Sequence, residues 1–210
     1  MVTTKNSDAA PRRRGRPRGF DRDAALATAM ETFWRLGYEG ASIADLTAAM
    51  GITPQSLYAA FDSKAALYRE ALALYRRTSG ASLAAILEAA PSVSDAFERL
   101  LEQRARAFTQ AGRPHGCMIS AAVLACACEN APVADHLREL RLGGLAAFRA
   151  ALERGRENGE FRADLDVDAL ARFLAAIVEG MAVQARDGAS EADLEPLARL
   201  AGEELARRRP

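Results

Sequence analysis

Two short helices separated by one glycine constrain this chain more than any other feature. Ser42 to Lys64 reads SIADLTAAMGITPQSLYAAFDSK. Ser42 and Asp45 have the spacing of a capping box, in which hydroxyl and carboxylate each satisfy an orphan N–H at a helix start. A helix therefore begins near Ile43. Ile43, Leu46 and Met50 share one face, and Gly51 follows, where a left-handed C-cap is cheapest. Thr53 caps a second helix, with Pro54 at its first position, where a missing N–H costs nothing. Leu57 and Phe61 point inward at i and i+4, leaving Gln55, Ser56 and Ala59 outside. A three-residue turn containing glycine is what a helix-turn-helix needs to cross its helices.

A third helix to cover the apolar face is predicted just upstream. Asp21 caps it, Leu26, Met30, Phe33 and Trp34 form the stripe, and Gly37 ends it before Tyr38. Ala25 and Leu26, Phe33, Gly37 and Tyr38, Ser42, Ile43, Leu46, Gly51, Leu57 and Tyr58, Phe61, and Ser63 with Lys64 together resemble the TetR family of bacterial transcriptional regulators. The resemblance covers about the first third of the chain; the remainder matches in helical character and length only.

The resemblance implies that the helix carrying Gln55, Ser56 and Tyr58 enters the major groove and that Lys64 contacts phosphate. Gln55 can offer a bidentate pair to adenine, and Ser56 can bond either base type. Tyr58, Ser42, Thr53 and Lys64 are better suited to the sugar-phosphate backbone, where contacts set register and affinity. Ala59 and Ala60 replace the larger polar residues common in relatives. Hydrogen-bonded readout is thereby thinner, and Ala59 is assigned to a thymine methyl.

Upstream, Met1 to Arg22 holds seven Lys or Arg against Asp8 and Asp21, a net of +5 that leaves −5 on the remaining 188 residues. A neutral total hides a basic arm on an acidic body. Arg14, Gly15, Arg16 and Pro17 resemble an AT-hook, which lays arginines into a narrow A·T minor groove. Arg14, Arg16 and Arg18 are therefore candidate DNA contacts; the other reading is a solvated tail that only strengthens phosphate binding. Two prolines and no apolar periodicity point to disorder in the free arm.

With 210 residues and an apolar half, the chain can build a sizeable core. No apolar signal region opens it, and the longest nearly apolar run, Cys117 to Cys128, is too short for a bilayer. The expected compartment is the cytoplasm. No Walker loop, dinucleotide fingerprint, nucleophile elbow or metalloprotease motif is present, so no enzyme and no cofactor are expected.

From Ser63 onward the pattern is successive helices with breaks at Ser79 and Gly80, Pro91, Gly112 to Gly116, Asn130 to Pro132, Asn158 with Gly159, and Asp187 to Ser190. Ser92 with Asp95 and Ser190 with Asp193 repeat the capping-box spacing. The expected fold is all-α. Residues 1–20 form the arm, 21–66 a three-helix DNA-binding unit, and 67–210 a larger helical unit which the resemblance makes effector-binding and dimerising. Leu170, Leu174, Ile177, Val178 and Met181, then Leu194, Leu197, Ala201 and Leu205, form apolar faces assigned to a dimer seam of two helices per subunit, part of each serving the monomer's own core. Two-fold symmetry would place two reading helices on half-sites about one DNA turn apart, ~34 Å.

His115, Cys117, Cys126 and Cys128 invite a metal site, but on a helix from Met118 to Cys128 the last two cysteines point about 160° apart, and Cys117 lies roughly 16 Å from Cys128. No metal site is expected, and Cys126 and Cys128 read as small buried hydrophobes. Cys117, at an expected helix N-terminus, reads either as a redox or electrophile sensor or as packing. Phe108, Met118, Phe148 and Phe173, with Cys117, are candidate effector contacts, or ordinary core. The function implied is a ligand-controlled regulator, a repressor of a palindromic operator released by a small molecule. Alternatives are an effector-independent architectural DNA-binding protein and a thiol-based sensor acting through Cys117.

Overall fold

The computed structural model describes residues 19–79, 85, 86, 89–120 and 127–210. Among them are eight α-helices and no strand: α1 (Arg22–Gly40), α2 (Ile43–Met50), α3 (Pro54–Phe61), α4 (Lys64–Thr78), α5 (Val93–Phe108), α6 (Ala131–Glu157), α7 (Val167–Arg186) and α8 (Glu191–Ala206). A single 3-10 turn, Cys128–Asn130, leads into α6.

The caps form as their spacing dictates. Asp21 accepts from the N–H groups of Asp23 and Ala24. Ser42 and Asp45, and Ser190 and Asp193, form complete reciprocal boxes. Ser92 accepts from Asp95 N, but the other half of its box is absent. The carboxylate of Glu160, just past α6, instead serves the next two orphan donors, accepting from Val93 N at 2.8 Å and Ser94 N at 2.7 Å. An anion at a helix N-terminus also complements its dipole. Gly37 breaks α1 as expected, at φ 74° and ψ 174°, yet one more helical turn follows it to Gly40.

Leu26, Ala29, Phe33 and Trp34 of α1 are buried against Leu67, Tyr68, Ala71, Leu72 and Tyr75 of α4. Phe33, Tyr38 and Tyr68 form an aromatic knot, Phe33 meeting Tyr68 edge-on at 4.9 Å. The expected division after residue 66 falls inside α4, which runs unbroken from Lys64. In the body, α5 packs on α8 and on α7, and α7 packs on α6. Among the described residues, hydrogen bonds tie the body to α1 at two places: Arg186 donates to Arg35 O at 3.3 Å, and Asn130 donates to Glu39.

The expected seam divides. Leu170, Leu174, Met181, Leu194, Ala201 and Leu205 are buried within the chain itself. What remains outward is a neighbouring stripe: Phe173, half-buried Ile177 and Gly180, and Val183 on α7, with Leu197 and Leu200 on α8. The 3.6-residue period gives two apolar faces to these helices, and one is used by the monomer.

The expected helix from Met118 to Cys128 is not continuous. Met118 to Ser120 lie in a turn, Ala127 is non-helical, and residues 121–126, including Cys126, lie outside the described residues. Cys128 is exposed, which corrects its reading as a buried hydrophobe. No helix among the described residues is long and apolar enough to cross a membrane.

Candidate nucleic-acid interface

The turn between α2 and α3 is closed by Gly51 at φ 65° and ψ 31°, the left-handed conformation expected of it. Thr53 then caps α3, accepting from Ser56 N at 3.2 Å. Leu57 and Phe61 are fully covered, which turns the opposite face outward. Gln55, Ala59 and Tyr58 are exposed there, Tyr58 to 47%, and Ser56 is half-buried beside them. These are the groups a groove would meet.

Hydroxyl accounting separates the candidates. Thr53 Oγ1 donates to Ser56 Oγ at 3.0 Å, which leaves the Ser56 proton free for a base or phosphate acceptor. Ser42 is committed differently. Its one proton goes to Asp45 Oδ2 at 2.6 Å, so a phosphate bond from this hydroxyl requires exchanging that partner. The same bonds hold the Asp45 carboxyl below its usual range.

Lys64 opens α4 immediately after the reading helix, with Nζ 4.4 Å from the centre of the Tyr38 ring. Partial burial lowers its pKa, opposed by Glu39. Its ammonium is thus steered by an aromatic face near the positive end of a helix, an arrangement suited to an anion.

Two features escaped the sequence reading. Arg22, counted with the basic arm, is a strut: Nη2 lies 2.8 Å from both Glu70 oxygens, Nε and Nη2 reach Ala60 O at 3.3 Å, and the guanidinium sits 4.3 Å from the Phe61 ring centre. It thereby fastens the C-terminal end of α3 to α1 and α4. The second is Asp62, at φ 68° and ψ −53°, with Ser63 N donating to Phe61 O at 2.7 Å. That is a γ-turn of the rare, strained kind, and it joins α3 to α4 with a single residue between Phe61 and the Ser63 cap.

A hollow of about 360 Å³ runs beside α3, lined by Gly19, Phe20, Ile52, Thr53, Ser56 and Ala59. The arm's end therefore abuts the start of the reading helix, while Arg14, Arg16 and Arg18 lie outside the described residues. The candidate effector contacts separate. Phe108, Cys117, Met118 and Phe148 are buried, Phe148 edge-on to Phe97 at 5.1 Å, whereas Phe173 is 39% exposed on the outward stripe. Cys117 Sγ accepts from the N–H groups of Ile119 and Ser120, and Cys117 lies close enough to Tyr75 of α4 to act on its hydroxyl. Among the described residues no cluster of His, Cys, Asp and Glu could hold a metal ion.

A buried three-helix knot that presents a capped, crossed helix with an open polar face defines a helix-turn-helix DNA-binding protein. The chain belongs to the TetR family. Residues 25–71 match the model of bacterial regulatory proteins of the tetR family, and residues 95–200 that of the tetracyclin repressor-like C-terminal domain. It is 34% identical to the HTH-type transcriptional repressor ComR of Escherichia coli K12, over 97% of this chain and 96% of that one. To BdcR, another repressor of that organism, it is 31% identical over 98% and 97%. Among solved structures, a cysteine mutant of the TetR family regulator CifR complexed with 26-base-pair operator DNA is 42% identical, with a TM-score of 0.86, covering 90% of this chain and 98% of that chain. The protein is a DNA-binding transcriptional regulator.

Proposed function

We propose that this regulator is a repressor which occupies a palindromic operator as a homodimer in the cytoplasm and is released by a small-molecule effector. In this reading residues 1–20 are the arm, 21–66 the reading unit, and 67–210 the effector-binding and dimerising unit. The observation that carries it is the exposed face of α3, where Gln55, Ser56, Tyr58 and Ala59 stand on a helix anchored at both ends. Gln55 and Ser56 read bases, Ala59 meets a thymine methyl, and Thr53, Tyr58 and Lys64 hold the backbone. Ser42 joins them by exchanging its bond to Asp45, and Arg14, Arg16 and Arg18 add the arm. ComR and BdcR are repressors, and CifR is seen on operator DNA, which supports the reading. The outward stripe from Phe173 to Val183, with Leu197 and Leu200, supplies an apolar face for a second copy.

Selection of bound sites from a random DNA pool tests this directly. A recovered palindrome is expected. On it, Lys64→Ala weakens binding to all sequences and lowers the salt slope, whereas Gln55→Ala relaxes preference at one or two positions and costs about 1–3 kcal/mol. Recovery of no preferred sequence would instead leave an architectural protein.

The contact between Cys117 and Tyr75 favours a second reading, in which a thiol-directed electrophile is the signal. Adding bulk to the buried Sγ would displace Tyr75, and with it the far end of the helix that begins at Lys64. Alkylation should then release the wild-type protein from DNA and leave Cys117→Ser bound; equal release of both would refute it.

A further inference from the structure

At the junction between the reading unit and the body lies a cavity of about 240 Å³ that the DNA-binding site does not use. Trp34 of α1, Tyr75 of α4 and Phe108 of α5 give it aromatic walls, and Thr78, Gln110 and Arg113 stand among its polar lining. Trp34 and Tyr75 meet edge-on at 4.9 Å, so the wall is rigid.

Two groups here lack partners. Trp34 is 4% exposed, yet among the described residues its indole N–H has no acceptor. An orphaned buried donor is costly, and buried indole N–H groups usually find a partner. Arg113 is exposed and, among the described residues, its side chain makes no ion pair or hydrogen bond. Of the two, Arg113 is open to a guest, and it calls for a negative one.

The field at this junction agrees. Helices α4 and α5 both end here, and each C-terminus contributes roughly −0.5 charge. Against that stand the whole charges of Arg113 and of Arg76 and Arg77 in the last turn of α4. Arg113 is the charged side chain in the cavity's lining, and it favours an anion. The volume is below the ~300–1,000 Å³ of sites for drug-sized ligands, so the guest is about one ring in size.

We propose that this cavity binds a small aromatic carboxylate, the ring against Trp34, Tyr75 and Phe108 and the carboxylate on Arg113. The inference rests on the effector-controlled reading above and names its ligand class. Because the walls come from α1, α4 and α5, a guest bound better in one arrangement of reading unit and body shifts the population between them, and DNA affinity follows.

Trp34 is the only tryptophan in the chain, so its emission reports on this cavity alone. Phenylacetate titrated into the full-length protein without DNA should change that emission saturably, and 2-phenylethanol, its neutral counterpart, should bind at least about tenfold more weakly. Arg113→Gln, at an exposed loop position, should abolish the discrimination while leaving the melting temperature unchanged. Absence of a saturable change, equal affinity for the alcohol, or unchanged discrimination in Arg113→Gln would each overturn the site. Phenylacetate should also lower affinity for the selected operator; binding to the cavity without that effect would overturn its effector role. Failure of the unliganded protein to bind DNA would count against the regulator reading, independently of the emission result.

Discussion

Replacing Arg22 with methionine distinguishes a strut from a DNA contact. Methionine keeps much of the packing over Phe61 and removes the guanidinium. In solvent an ion pair with side chains 29% and 38% exposed contributes only about 0.2–1 kcal/mol. The bonds to Ala60 O and the stacking over Phe61 add about as much again, for a total of about 1–2 kcal/mol. Stability should fall by that amount, read from denaturant midpoints at constant m-value. Glu70→Gln should be partly redundant with it, giving a coupling of about 1 kcal/mol in a double-mutant cycle. On DNA, a frayed α3 must be reordered on binding, so affinity per reading unit should drop about 5- to 30-fold, equally on matched and mutated sites. The slope of log affinity against log salt should stay unchanged, because no phosphate contact is lost. A variant that keeps full stability while its slope falls by about one unit per reading unit would refute the strut and return Arg22 to the arm.

Burial raises the pKa of both Tyr68 and Tyr75 well above the ordinary value. Their contribution to stability is complete below the unfolded value of about 10 and is lost as pH rises toward the folded ones, so the melting temperature should decline from about pH 10 upward and Tyr75→Phe should flatten the decline. Gly116→Ala should cost about 2–4 kcal/mol, since a Cβ at φ +77° would lie 2.5 Å from Ala182 O, whereas Gly159→Ala, with φ +75° and open space, should cost about 1–2 kcal/mol; equal denaturation midpoints would show that α7 yields. Ile177→Glu should yield monomers in sedimentation and weaken operator binding, while a fully dimeric variant would place the seam elsewhere.

Where structure follows from neighbours in sequence, it was legible. Gly51, the Ser42–Asp45 and Ser190–Asp193 boxes and the inward Leu57 and Phe61 depend on residues within one or two turns, and all appear as their spacing implies. The cap on α5 was half legible, because Ser92 is local but Glu160 arrives from 67 positions away. Arg22 misled for the same reason. A run of basic residues reads as one arm until Glu70 and Ala60 O take its last member out. The seam was legible as apolar but not as to side, since periodicity tells that α7 carries two apolar faces without telling which one the monomer's core uses. Phe173, read from the sequence as an effector contact or core, stands on the outward stripe for that reason.

The γ-turn at Asp62 gives the molecule a joint without play. With one residue between Phe61 and the Ser63 cap, and that residue pinned by a hydrogen bond from Ser63 to Phe61, α3 has no slack to absorb a movement of α4. From Lys64 to Tyr75, α4 is a rod about 16 Å long. Displacing the Tyr75 end by about 2 Å would swing that rod by roughly 7°, and the reading helix would turn with it. On a duplex whose half-sites must match at ~34 Å, a swing of this size in each of two subunits is enough to take both helices out of step with the groove.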